Sequence, residues 1–153
     1  MKIIFLDIDG VLNVRAGGIN SEHVDNLNMI TEATDAKIVI SSSWRLGFRL
    51  QDLRTILSRA GVKAEIIGFT PDLTCVLYET VDKILELHQG KDPAWMDVRG
   101  QEVDKWLEDQ SVESYVVIDD YPIPRHPQNF LRTNGDIGLT EENAQKIIVI
   151  LGT

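Results

Sequence analysis

Apolar residues in this chain fall into two patterns: short unbroken runs, and longer stretches in which they recur every three or four positions. Lys2–Leu6, Lys37–Ile40, Ala64–Ile67 and Tyr115–Ile118 belong to the first kind. Continuous apolar runs of this length, bounded by polar turn residues, predict strands buried on both faces of a parallel sheet. Asn129-Phe130-Leu131 predicts a short fifth strand. The second pattern predicts the helices. Ser21 is placed to cap one running to about Ala33, with Val24, Leu27 and Thr31 at helical spacing. Leu46, Leu50, Leu53, Leu57 and Ala60 form the stripe of the next, stopped by Gly61. A third is expected from Leu73 to His88, and a fourth starts near Arg99 or Gly100 and buries Val103, Trp106 and Leu107. Thr140 caps the last, whose buried stripe is Ala144, Ile147, Ile148 and Leu151.

Strands alternating with helices imply right-handed crossovers, hence an α/β fold with a doubly wound, Rossmann-like parallel sheet of about five strands. Ligands of such sheets bind outside the carboxyl ends of the strands. Polar residues gather at those ends here: Asp7 and Asp9 after the first strand, Ser41 after the second, Asp119 and Asp120 after the fourth. In an extended chain Asp7 and Asp9 leave the same face. Two carboxylates so placed repel unless a proton or a divalent cation lies between them, and Gly10 lets the chain bend away beside them. Read alone, each of these residues also suits a turn or a helix cap. Together on one rim they point to chemistry.

Composition narrows the class. At 153 residues one domain over 1–153 is expected, with enough length to bury a core. A net charge of −9 weighs against broad, non-specific binding to nucleic acid or anionic membranes. Cys75 is the lone cysteine, so no internal disulfide forms and a reducing, cytoplasmic setting is expected. The first strand begins at Lys2, so no targeting segment is expected, and no apolar run approaches the roughly 20 residues of a membrane span.

FLDIDGVL at the first strand, IVIS at the second and VVIDD at the fourth resemble the haloacid dehalogenase (HAD) superfamily of phosphohydrolases, in order and spacing along the whole chain. FLDIDGVLN with SSSWR, a late RG before a WL helix, and GLT near the end is similar to small HAD domains associated with RNA repair proteins. The resemblance implies a magnesium-dependent phosphomonoesterase. Asp7 matches the nucleophile that takes up phosphorus as an aspartyl-phosphate, and Asp9 the general acid/base. Asp7, the backbone carbonyl of Asp9 and Asp119 would ligate Mg2+, with Asp120 as a further ligand or its support. Ser41, directly after the strand, matches the hydroxyl that bonds a phosphate oxygen, with Ser42 as a further substrate-binding candidate and Ser42 or Ser43 as the cap of the helix that follows. Arg99 matches the cation that balances the phosphate, with Lys91 and Lys105 as substitutes. On the same rim Arg45 would grip a second substrate group, and Trp44 either stacks on a base or packs in the core. His23, His88 and His126 lack metal-ligand spacing and read as structural or exposed. Arg125 and His126, on the loop after Asp120, make at most a weak case for substrate contact.

Neither Asn13–Asn20 nor Gly68–Val98 is long enough for a cap domain. The site is therefore expected to be open, suited to a macromolecular phosphate, such as the end of a nucleic acid or a phosphoprotein, or to a nucleotide. Three alternatives share these features. A phosphotransferase would use the same site. A receiver-like phosphoacceptor should carry its Asp after the third strand, where Gly68-Phe69-Thr70 stand. A docking module with a HAD-like fold would have no use for crowded carboxylates.

Overall fold

The computed structural model describes residues 1–14, 17–74 and 97–153. Its centre is strand β1 (Lys2–Leu6), paired in parallel with β2 (Lys37–Ile40) on one side and β4 (Ser114–Asp119) on the other. β3 (Ile66–Phe69) extends the sheet beyond β2, and β5 (Phe130–Arg132) extends it beyond β4. The order β3-β2-β1-β4-β5 is that of the expected doubly wound parallel sheet. Connections run outward in one direction from β1 to β3, then restart on the opposite side. The reversal falls between β1 and β4, where the separating chains open a crevice.

The apolar runs sort by alternation onto two faces. Ile4, Leu6, Ile38, Ile40, Val116 and Ile118 face one layer, which receives α1 (Ser21–Thr34), α2 (Leu50–Arg59) and α4 (Glu141–Leu151) through Leu27, Leu53 and Ile147 among others. Ile3, Phe5, Val39 and Val117 face the other, where α3 (Val98–Leu107) contributes Val103 and Trp106. Phe5 meets Trp106 edge-on at 5.3 Å, a favoured aromatic geometry. Thr140 caps α4 through a reciprocal capping box with Asn143, as expected.

Four boundaries differ from the sequence reading, each for a local reason. Asn20, not Ser21, caps α1, because its extended backbone lets Oδ1 accept from Glu22 N at 2.9 Å. Leu46 has the spacing of the α2 stripe but is 60% exposed. It ends a separate 3-10 turn, Ser43–Leu46, and α2 starts only at Leu50. β3 lies two residues later than Ala64–Ile67, because pairing of Ile40 with Phe69 carries it through Gly68 to the rim. β5 is displaced by one residue, pairing Asp119 with Arg132. The helix expected over Leu73–His88 lies almost wholly outside the described residues. Among the described residues no cap stands over the carboxyl edge, and no helix is long and apolar enough to cross a membrane.

Candidate active site

The sheet ladder runs one step past the strands at the rim. Asp7 N donates to Ile118 O at 3.0 Å, and Ser41 N to Leu6 O at 2.9 Å. These bonds fix Asp7 at the β1/β4 crevice with its side chain almost wholly buried. The chain then turns: Val11 N and Leu12 N both bond Ile8 O, and Gly10 adopts φ +80°, which favours glycine. A Cβ on Gly10 would lie 2.6 Å from Asp120 Cγ, and one on Gly135 2.8 Å from Asp120 Oδ2. The Asp120 carboxylate thus occupies space that two glycines leave open.

Asp7, Asp119 and Asp120 each offer an oxygen to one small volume, the three atoms lying within 4.8 Å of one another. Asp119, the last residue of β4, is fully buried. Its Oδ1 accepts from Tyr121 N at 2.9 Å, and its Oδ2 bonds Arg99 Nη1. The same Nη1 is 3.3 Å from Asp7 Oδ2. Arg99 reaches in from the first turn of α3, whose start is fixed by Asp97: its Oδ1 accepts from Gly100 N at 2.8 Å. One guanidinium therefore faces two buried acids, with a third alongside.

The electrostatic consequence is a site short of positive charge. Burial, reinforced by the charge of Asp7, raises the Asp119 carboxyl to about 7, against the opposing pull of Arg99. Asp7 is also raised, chiefly by burial; Arg99 and a hydrogen bond from Ser42 act in the other direction. A cation placed among these carboxylates would offset the mutual repulsion that, with burial, raises them. The donor set, three carboxylates with hard oxygen atoms, fits Mg2+. Beside it the Ser41 hydroxyl is buried without a hydrogen-bond partner among the described residues, an oxygen suited to an incoming polar group.

Asp9 stands apart from that cluster: its side chain does not join the metal-competent group. Asn13 Nδ2 donates to Asp9 Oδ1 at 2.7 Å, and Trp44 Nε1 to Oδ2 at 3.0 Å. Asn13 Oδ1 meanwhile accepts from Gly10 N at 2.9 Å, tying the carboxylate to the turn that carries it. Trp44 is thus neither a base-stacking platform alone nor simple core. Its ring lies 5.8 Å from Phe48 while its N–H holds Asp9. Sequence reasoning passed over Asn13 altogether, although an Asn four residues after Asp9 across a glycine turn was the available signal.

The 3-10 turn after β2 serves both acids. Ser42 caps it through Trp44 N and also bonds Asp7, while Trp44 reaches Asp9. Arg45, expected to grip substrate, is instead drawn inward. Its Nη2 pairs with Glu102 Oε2 of α3 at 2.7 Å and its Nη1 donates to Ser42 O at 2.9 Å. The pair leaves 7% of the Arg45 side chain and 1% of the Glu102 side chain exposed, so the guanidinium holds the turn against α3.

Of the substitutes for Arg99, Lys105 is exposed and paired with Glu108 at 2.7 Å, and Lys91 lies outside the described residues. His23 bonds Leu139 O, and His126 lies between Tyr115 OH and Gly100 O, both structural as expected; His88 is not among the described residues. Arg125 pairs with Asp104, bracing α3 rather than facing the acids.

No curated protein and no solved structure gives a significant match to the chain. A family model does, over residues 3–144: "HAD domain in Swiss Army Knife RNA repair proteins". The matched span includes β1, β2, α3 and β4, the elements that bring Asp7, Arg99, Asp119 and Asp120 together. The chain belongs to the family of HAD domains of Swiss Army Knife RNA repair proteins.

Proposed function

We propose that the chain is a Mg2+-dependent phosphomonoester hydrolase that works through an aspartyl-phosphate on Asp7. The observation that carries this reading is the meeting of Asp7, Asp119 and Asp120 around one small volume with Arg99 against the first two. When bound there, Mg2+ supplies Lewis-acid charge that offsets the repulsion between an anionic carboxylate and an anionic phosphate.

The chain's own groups account for the proton and bond changes. An Asp7 oxygen bonds phosphorus as the phosphorus–oxygen bond to the leaving group breaks, and Asp9 gives that oxygen its proton. In the second half, Asp9 takes a proton from water as the water oxygen bonds phosphorus. The Asp7–phosphorus bond then breaks, releasing inorganic phosphate. Asn13 and Trp44 keep Asp9 at a fixed angle through both halves. Arg99 neutralises charge on the transferring group, and the unpartnered Ser41 hydroxyl donates to one of its oxygens. With no cap among the described residues, the substrate itself excludes water, which favours a nucleotide or a phosphorylated nucleic-acid end.

The test is hydrolysis of a panel holding an aryl phosphate, nucleotides, end-phosphorylated RNA and DNA, and phosphopeptides. Each is measured with Mg2+, with chelator, and with Asp7→Asn. Turnover should fall by about a thousandfold or more in the variant and vanish with chelator. Unchanged turnover in either arm overturns the mechanism, and transfer of phosphate to an acceptor other than water would identify a transferase.

A further inference from the structure

We propose that the groove beside Asp9 is the leaving-group side of the site, and that Arg132 there recognises a second anionic group on the substrate. The inference rests on the phosphomonoesterase reading above and adds a subsite to it.

The groove has a volume of about 620 Å³ and is lined by Asp9, Asp120, Tyr121, Arg132 and Asn134, among others. The group that protonates a leaving oxygen must lie on that oxygen's side of phosphorus, and Asp9 opens onto this groove. Whatever remains attached to the leaving oxygen therefore extends along it.

Arg132 is placed for such an extension. It ends β5 in register with Asp119, so it stands one strand spacing, about 4.8 Å, outward along the rim. Neighbouring parallel strands in register put paired side chains on the same face. Arg132 thus shares the face of the buried acids while remaining exposed. Its Nε donates to the Asp120 carbonyl at 2.9 Å, which fixes the guanidinium plane. Neither Nη has a hydrogen-bond or ion-pair partner among the described residues. The described arginines nearest the site are otherwise committed: Arg45 to Glu102, Arg99 to Asp7 and Asp119, Arg125 to Asp104.

A planar fork held at one nitrogen and open at two is a receptor for a phosphate or carboxylate edge. Among the described residues lining the groove, Arg132 is the one cationic side chain; Asp9, Asp120 and Asp136 make the rest of the wall acidic. Among the described residues of this wall, the Arg132 fork is therefore the group that can receive a second negative charge. Tyr121, 69% exposed, forms the wall between this groove and a hollow lined by Val98, Pro122 and Pro124. It gives the body of a nucleoside-sized leaving group an aromatic face.

The experiment compares adenosine 3′,5′-bisphosphate, adenosine 5′-monophosphate and an aryl phosphate with wild-type, Arg132→Gln and Arg132→Lys proteins. Wild-type kcat/KM should favour the bisphosphate over the monophosphate by about tenfold. Arg132→Gln should erase that preference, mainly through KM, and Arg132→Lys should restore part of it. Binding of the bisphosphate to Asp7→Asn protein, measured by calorimetry, should weaken about tenfold when Arg132→Gln is added. This arm needs no turnover, so the subsite and the catalytic reading fail separately. Absence of any bisphosphate preference in the wild type would overturn the proposal. So would an equal loss with all three substrates, which would mark the Nε–Asp120 bond as merely structural.

Discussion

Helix α3 delivers two buried ionic contacts from neighbouring turns, and they differ in kind. Glu102 meets Arg45 one to one, and its second oxygen accepts from Leu73 N, so every charge in that pair has an answer. Arg99, three residues earlier, meets two carboxylates with a third beside them. Burial raises Glu102 as it raises Asp7 and Asp119. In the first contact, though, the charges balance and one buried nitrogen, Arg45 Nε, is without a partner among the described residues, whereas the second retains a surplus of negative charge in a crevice that opens on solvent. A balanced buried pair fixes geometry; an unbalanced one is a receptor. The distinction explains why Arg45, next to the site and of the right chemistry, is a strut, while Arg99 lies within the acid cluster.

The sharpest way to break this contrast is Glu102→Ala. It should cost about 3–5 kcal/mol in chemical denaturation, because it strands a buried guanidinium. Replacing both partners, Arg45→Met with Glu102→Leu, should recover most of that stability. It should not recover full activity, since the turn bearing Ser42 and Trp44 loses its anchor on α3. Recovery of both would mean that the strut does nothing for the site.

A smaller effect is expected from Trp44→Phe, which removes the N–H on Asp9 and keeps the ring. The ratio of kcat for an alkyl phosphate to that for an activated aryl phosphate should fall about tenfold. That is a fraction of the 100- to 10,000-fold typical of general acid catalysis, and only the poorer leaving group needs the acid. An unchanged ratio would reduce Trp44 to packing.

The most modest test uses pH. Asp119 binds its proton more tightly when folded, about 7 against an ordinary 3.8, and Asp7 shifts in the same direction. Through these two acids the folded state holds more protons than the unfolded chain between those values, so their contribution to stability without metal falls as pH rises from 3.8 towards 7. Mg2+ takes the ionised acids, so its increment in Tm should grow over the same interval. The contribution is read against Asp119→Asn: a metal-free Tm with the same pH course in variant and wild type would contradict the shifts.

The sheet was legible because unbroken apolar runs such as Ile3–Leu6 and Ile38–Ile40 have few alternatives to a buried strand. Its rim was legible for the same reason: the runs of β1, β2 and β4 each end on a polar residue, and parallel topology puts those ends together. Leu46 misled because periodicity counts positions without seeing that Arg45, bound to Glu102, holds the chain in a tighter turn. Trp44–Asp9 and Arg45–Glu102 join residues far apart in the chain. Side-chain pairing at that range leaves no periodic trace, and it decides which rim residues face the site. Arg132 was hidden differently, since β5 is short and its register with β4 could not be read from so few residues.

The clasp between β1 and β4 has a bearing on how the protein comes to life on the ribosome. Asp7 emerges 92 residues ahead of Arg99 and 112 ahead of Asp119. Long-range pairings of this kind close late. Over that interval a nascent chain carries its leading acids without their partners, and the acid cluster is completed only when the second half of the sheet zips alongside the first.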